Sequence, residues 1–227
     1  MNKPILLHIN TALNDAYVGI SQGDELMGTV SNDSPFDHAA FLQPAIKELC
    51  HANNVSLKQI DAVTVVNGPG SYTGLRVGLS AAKGICYALN KPLICINSLE
   101  WLATNMTDAN ADLICPMIDA RRMEVYTALY DRSLKCVLEP TAMVLSNESF
   151  SDSLSKHSIA FIGNGCTKWK SVVQHPHALF PESNSGVHEQ MKRSLHKWAS
   201  KVFDDLAYAE PFYIKDFYSP AFFIKKQ

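Results

Sequence analysis

The sequence predicts an α/β protein of two lobes, each built on a mixed sheet, and three observations lead there. Short β-branched runs bounded by turn residues alternate with stretches of helical period from Pro4 to Ile96. One of these runs, Ala62 to Val66, ends in Asn67-Gly68-Pro69-Gly70 and passes at once into a helical pattern that lasts to Leu89. From Leu113 onward a shorter version of the strand-rich opening follows. A chain of 227 residues, 47% hydrophobic and 19% charged, can bury a substantial core as one large or two small domains.

The first unit opens with three antiparallel strands: Ile5 to Ile9, Ala16 to Ile20 and Glu25 to Val30. Gln22-Gly23-Asp24 is a hairpin loop between the last two. Phe36 to Ala52 places Ala39, Leu42, Ala45, Ile46, Leu49 and Cys50 on one helix face, and Pro44 removes a hydrogen bond in its middle, so a kink is expected. Strand Ala62 to Val66, helix Thr73 to Leu89 and strand Leu93 to Ile96 complete the unit. Ser98 to Thr107 reads as a helix joining the halves. The second unit is expected as strands Leu113 to Ile118 and Glu124 to Tyr130, a hairpin return near Leu134 to Leu138, helix Ser146 to Leu154, strand Ile159 to Ile162 and helix Gln190 to Leu206. Gln174 to Gly186 is turn-rich and reads as a surface loop. The lobes divide as 1–100 and 101–227, the second being smaller and its tail packing back on the first. Within that tail, Glu210 to Lys215 alternates enough for an edge strand. Phe217, Tyr218, Phe222 and Phe223 crowd behind it, aromatic residues better suited to packing on the core than to stacking a base.

The strand-to-helix junction needs its glycines. A chain that reverses within a few residues must visit positive φ or bring backbone close to a neighbour, and Gly68 and Gly70 allow either. Ser71 or Thr73 can cap the helix, and the whole is a generic anion site. In the helix, apolar residues cover a wide arc, so two neighbours are expected. Gly74, Gly78 and Ala82 form a small-residue stripe, opposite Arg76, Ser80, Lys83 and Tyr87. Glycine inside a helix costs about 1 kcal/mol relative to alanine, so Gly78 and Gly84 ask for a packing reason. A central helix buried in its own chain and a helix shared with another subunit both answer it.

The formal charge of −2 carries no argument for autonomous nucleic-acid binding. The six cysteines, at 50, 86, 95, 115, 136 and 166, include no Cys-x-x-Cys pair and suit buried thiols in a reducing compartment. With neither a secretory leader pattern nor a long apolar run, a soluble cytoplasmic protein off the membrane is expected.

Motifs for chemistry are scarce. Gly74 is followed by Leu75 where a phosphate-binding loop requires Lys-Ser/Thr, and the third glycine of a dinucleotide fingerprint falls one residue late. Gly70-Ser71-Tyr72-Thr73-Gly74 is misspaced for a nucleophile elbow, leaving Ser71 as a helix cap. Asp119, at the end of an apolar strand and before Arg121 and Arg122, reads as an ion pair or turn cap rather than a ligand; Glu124 reads as a solvated strand residue. His175 and His177 lie in a loop and no His-x-x-x-His pair exists, so no metal site is expected. His38 opens a helix and could cap it or face a partner.

Gly68-Pro69-Gly70-Ser71-Tyr72-Thr73-Gly74-Leu75-Arg76-Val77-Gly78 closely resembles the signature of the TsaB family, bacterial partners in making threonylcarbamoyladenosine on transfer RNA. The resemblance extends to His8-Ile9-Asn10-Thr11-Ala12, to Ile118-Asp119-Ala120-Arg121 with Glu124-Val125-Tyr126, and to Glu210-Pro211-Phe212-Tyr213-Ile214-Lys215; it is slight between about 131 and 190. It implies the two-lobed ribonuclease-H-like fold of sugar kinases, actin and heat-shock ATPases, an analogy that the order of elements supports but that confers no activity. In that fold the first strand usually ends in an aspartate serving metal-bound phosphates; here it is Asn10, which lacks the charge Mg²⁺ prefers.

The resemblance further implies a non-catalytic subunit, without cofactor, that supports a TsaD-like transferase acting on the adenosine beside the anticodon. A TsaE-like ATPase would be the third member, tRNA would be met only through the complex, and a homodimer would form without the partner. The implied partner interface comprises His38, Leu42, Ile46, Gly74, Val77, Gly78, Ala81, Ala82 and Ile85. The glycine loop, with Gly68, Gly70, Ser71, Thr73 and Arg76, would touch a nucleotide or the interface. On this reading Gly78→Arg should block assembly and leave the monomer folded. The rival expectation is an ATP-dependent small-molecule kinase or phosphatase of the same fold; a metallopeptidase lacks its ligands.

Overall fold

The computed structural model describes residues 3–32, 37–106, 110–183 and 185–215, and folds them around two five-stranded sheets of the same plan. In the first, β1 (Ile5–Asn10) is central. The antiparallel β2 (Ala16–Gln22) and β3 (Glu25–Asn32) lie to one side, and the parallel β4 (Ala62–Gly68) and β5 (Leu93–Asn97) to the other. In the second, β6 (Leu113–Asp119) is central, flanked by the antiparallel β7 (Glu124–Asp131) and β8 (Cys136–Val144) and by the parallel β9 (Ile159–Ile162) and β10 (Ala178–Leu179). The β1–β4 register places Leu7 beside Val63 and Ile9 beside Val65, so the outer face of the first sheet is continuously apolar.

Three cores follow from these faces. α1 (His38–Ala52) and α2 (Tyr72–Leu89) cover the outer face of the first sheet through Leu42, Ile46, Leu79 and Ala82. α3 (Ser98–Ala103) and α6 (Val187–Ala199) join the two sheets in a shared core that includes Trp101, Val187 and Met191. The far face of the second sheet is closed by α4 (Ser151–Leu154) and α5 (Cys166–Lys170), where Trp169 is fully buried among Phe150, Phe161 and Phe180.

The last helix departs from expectation. α6 ends at Ala199 rather than Leu206 and packs on β5, β2 and β1 of the first sheet instead of completing the second unit. Its attachment is polar as well as apolar. Gln190 Nε2 donates to Thr64 Oγ1 (2.9 Å) and to the Ile9 carbonyl (3.2 Å), while His8 lies 2.9 Å from Thr64 Oγ1 and 2.8 Å from Ser21 Oγ. These groups are fully buried, and burial pulls the His8 pKa down to about 3. Beyond α6 the chain closes the β5 edge. Asp204 N donates to the Leu93 carbonyl, the Asp204 carboxylate accepts from Cys95 N (2.7 Å), and Lys197 Nζ donates to the Cys95 carbonyl (2.6 Å). Side chains thus satisfy backbone groups that an open edge would leave for another chain.

Glu210 to Lys215 forms no strand: its one ladder-like bond runs from Phe212 N to the Asn67 carbonyl. Phe217, Tyr218, Phe222 and Phe223 lie outside the described residues. The third strand of the second sheet runs on to Val144, the helix expected from Ser146 is reduced to Ser151–Leu154, and α5 is an addition. α1 continues through Pro44, whose exposed position leaves its ring in solvent.

Candidate functional site

The carboxyl ends of β1, β4 and β6 and the amino ends of α1 and α2 converge on one cleft between the lobes, the usual place for a site in open α/β sheets. It holds about 830 Å³, with Ala12, His38, Ser71 and Tyr72 on one wall and Asp119 and Arg121 on the other.

On the first wall, Ser71 N donates to the Ala12 carbonyl (2.7 Å) and Ser71 Oγ accepts from Gly74 N (3.3 Å), which makes Ser71 the cap of α2. Thr73 beside it is exposed. A Cβ at Gly70 would stand 2.2 Å from the Ala12 carbonyl oxygen, so the loop after β1 admits no side chain there.

The small-residue stripe serves the same loop. Thr11 Oγ1 donates to the Gly74 carbonyl (2.6 Å). A Cβ at Gly74 would lie 2.0 Å from the Thr11 carbonyl oxygen, and one at Gly78 would lie 2.3 Å from Thr11 Oγ1. Ala82 is fully buried, as are Leu42 and Ile46 nearly so, and His38 is buried against Gly74. Six of the residues expected at a partner interface, His38, Leu42, Ile46, Gly74, Gly78 and Ala82, therefore pack inside the chain. The expectation for Gly78→Arg is corrected accordingly: its side chain would enter the chain's own core. Val77, Ala81 and Ile85 differ, being half-buried on the outer flank of α2. Next to them Gly84 is exposed, and a Cβ there would meet nothing among the described residues within 4 Å.

Arg76 turns away from the cleft. Its Nε donates to the Tyr213 hydroxyl (3.0 Å), and its guanidinium lies 4.0 Å from the centre of the Tyr72 ring, on which Tyr213 stacks at 5.3 Å. Lys83 Nζ donates to the carbonyls of Ala209 (2.8 Å) and Ala207 (3.3 Å). The polar face of α2 is thus partly covered by the returning tail, with Tyr87 left 82% exposed.

On the second wall, Lys168 Nζ donates to Asp119 Oδ1 (2.6 Å) and to the carbonyls of Arg122 (2.8 Å) and Glu124 (2.6 Å). It clamps a turn in which Arg121 and Arg122 both have positive φ, and the Asp119 carboxylate also accepts from Arg121 N. The bond from Lys168, more than any other influence, holds the Asp119 carboxyl below its ordinary pKa. Sequence reasoning did not single out Lys168, whose partner lies 49 residues away. Asn10 is fully buried and its Oδ1 accepts from Ala12 N (3.0 Å). A lysine-committed carboxylate and an amide suit a divalent cation poorly. Among the described residues no three His, Cys, Asp or Glu side chains gather. His177 is tied to the Leu154 carbonyl, and burial pushes the thiols of Cys86 and Cys95 up to about 11 and about 12.

A family model described as TsaD, tRNA N6-adenosine threonylcarbamoyltransferase, matches residues 21–211. The chain belongs to this family. Its relatives place it among the TsaB members. The tRNA threonylcarbamoyladenosine biosynthesis protein TsaB of Bacillus subtilis (strain 168) is 32% identical over 125 residues, covering 55% of this chain and 54% of that protein. The TsaB of Escherichia coli (strain K12) is 26% identical over 194 residues, covering 80% and 82%. The chain thus matches about half the length of the first relative and four fifths of the second. The solved structure of YeaZ from Pseudomonas aeruginosa superposes with a TM-score of 0.78 at 24% identity, over 92% of this chain and 99% of that one, and has the same two-lobed ribonuclease-H-like fold. No helix among the described residues is long and apolar enough to cross a membrane.

Proposed function

We propose that this TsaB-type chain is a non-catalytic cytoplasmic subunit that docks a TsaD-like transferase for threonylcarbamoylation of tRNA. The names of its relatives support the pathway, and one observation supports the docking face: Gly84 interrupts α2 at an exposed position where the described residues supply no packing reason. An exposed helix glycine costs about 1 kcal/mol against alanine, which a close-approaching partner backbone would offset. Val77, Ala81 and Ile85 beside it, with the outer side of α1, extend the strip. A TsaE-like ATPase joins that assembly, tRNA is met through it, and the same strip closes a homodimer in the partner's absence.

The kinase reading is less well supported, because Asn10 and the Lys168-bound Asp119 leave the cleft poorly equipped for Mg-dependent phosphoryl transfer. Light scattering on a sizing column tests the proposal, with this chain alone and mixed with the TsaD-like protein of the same source. A mixed complex that Gly84→Arg abolishes, with the variant's thermal transition intact, is the expected result. Mg-dependent ATP turnover by the isolated chain, with no mixed complex, would overturn it.

A further inference from the structure

Residues 204–215 cross from one lobe to the other, and their anchors are unequal. On the first lobe they are numerous. Asp204 pairs with β5; Leu206 and Ala209 pack on the outer core; Lys83 holds two carbonyls; and Tyr213 stacks on Tyr72 beneath Arg76. The glycine junction is shaped for this segment: Gly68 has φ +123°, and a Cβ there would lie 2.5 Å from the Phe212 carbonyl oxygen. Toward the second lobe, Ile214 packs half-buried on the core that the two sheets share, and among the described residues the one side-chain bond is from Lys215 Nζ to Glu124 Oε1 at 2.5 Å, the two side chains being 49% and 21% exposed. Glu124 begins β7 directly after the turn that Lys168 clamps, and Tyr72 forms part of the cleft wall.

We infer that residues 204–215 are a strap that sets the width of the interlobe cleft, with the Lys215–Glu124 pair as its catch. The catch lies two residues beyond Tyr213, whose ring stacks on Tyr72 at the cleft mouth, so release of Lys215 lets the second wall move away while Tyr213 stays on the first. The strap stays seated on the first lobe, because the Asp204–Leu93 backbone bond, the apolar contacts of Leu206 and Ala209 and the Tyr213–Tyr72 stack do not depend on the Lys215–Glu124 charges. An exposed ion pair is weak and screened by salt, which suits a catch that opens and recloses.

The test is hydrogen exchange on the full chain, following peptides from the two cleft walls (residues 70–75 and 118–126) and from the strap. Lys215→Met and Glu124→Gln should each speed exchange at both walls by up to about fivefold, the scale of one exposed ion pair. One molar salt should do the same to the unaltered chain, and the control Lys201→Met should not. The double variant Glu124→Lys with Lys215→Glu should restore the original rates. Faster exchange confined to the strap peptide, or a charge swap that fails to restore the walls, would overturn the inference.

Discussion

Gly78→Ala tests whether the small-residue stripe belongs to the chain's own core. The added Cβ would stand 2.3 Å from Thr11 Oγ1, with Ile9 Cγ2 at 3.5 Å and Val65 Cγ2 at 3.6 Å. Only the hydroxyl is too close. It can yield by turning away, which breaks its 2.6 Å bond to the Gly74 carbonyl at a cost of about 1 kcal/mol, or α2 can shift off β1 at an overpacking cost of about 1–3 kcal/mol. Alanine returns about 1 kcal/mol of helix propensity, so the net loss should be about 0–2 kcal/mol. Thr11→Ala alone loses the hydrogen bond, again about 1 kcal/mol. In the double variant the new methyl occupies the space that the hydroxyl has left. Urea unfolding of all four proteins should therefore give a double variant about 1 kcal/mol more stable than the sum of the singles predicts. Additivity within about 0.5 kcal/mol, or a Gly78→Ala protein more stable than the parent, would refute the packing argument.

Gly84→Ala should raise the stability of the isolated chain by about 1 kcal/mol, measured by the same urea midpoint, because its Cβ enters open space. For His8, the folded pKa of about 3 lies below the ordinary 6.5, so between those values the unfolded state binds the extra proton and stability falls as pH falls. Its own share of the loss between pH 8 and pH 5 is about 2 kcal/mol, and the difference in unfolding free energy between the parent and His8→Gln should shrink over that interval. Lys168→Met should raise the Asp119 pKa toward its ordinary value in a carboxyl NMR titration and speed amide exchange in the 119–124 turn; an unmoved Asp119 would remove Lys168 as the cause.

Local pattern was enough to locate the elements. Ile159–Ile162 matches its expected limits, β1 to β5 and α2 agree to within two residues, and Ser71 caps α2 through a hydroxyl that three-residue spacing places in reach. Where two sheets compete for one helix, pattern did not decide. The apolar stripe of α6 fits either lobe, and the buried contacts of Gln190 with Thr64 and Ile9 take it to the first. The sequence places Arg76 and Lys83 only on the face of α2 opposite its small residues, with Arg76 expected to touch a nucleotide or the interface, because their partners, Tyr213 and the Ala207 and Ala209 carbonyls, come from more than a hundred residues away.

By itself the sequence determined the strand and helix periods, the glycine junction and its cap, and the signature that places the chain in its family. All of these depend on residues within about one helical turn or one strand of each other. Only the tertiary structure decided which side of α2 faces inward, that Asp119 is committed to Lys168, and that the tail spans both lobes. Small residues look the same whether the backbone they admit is Thr11 of this chain or belongs to a partner, and a charge looks solvated until the fold brings its counterpart across.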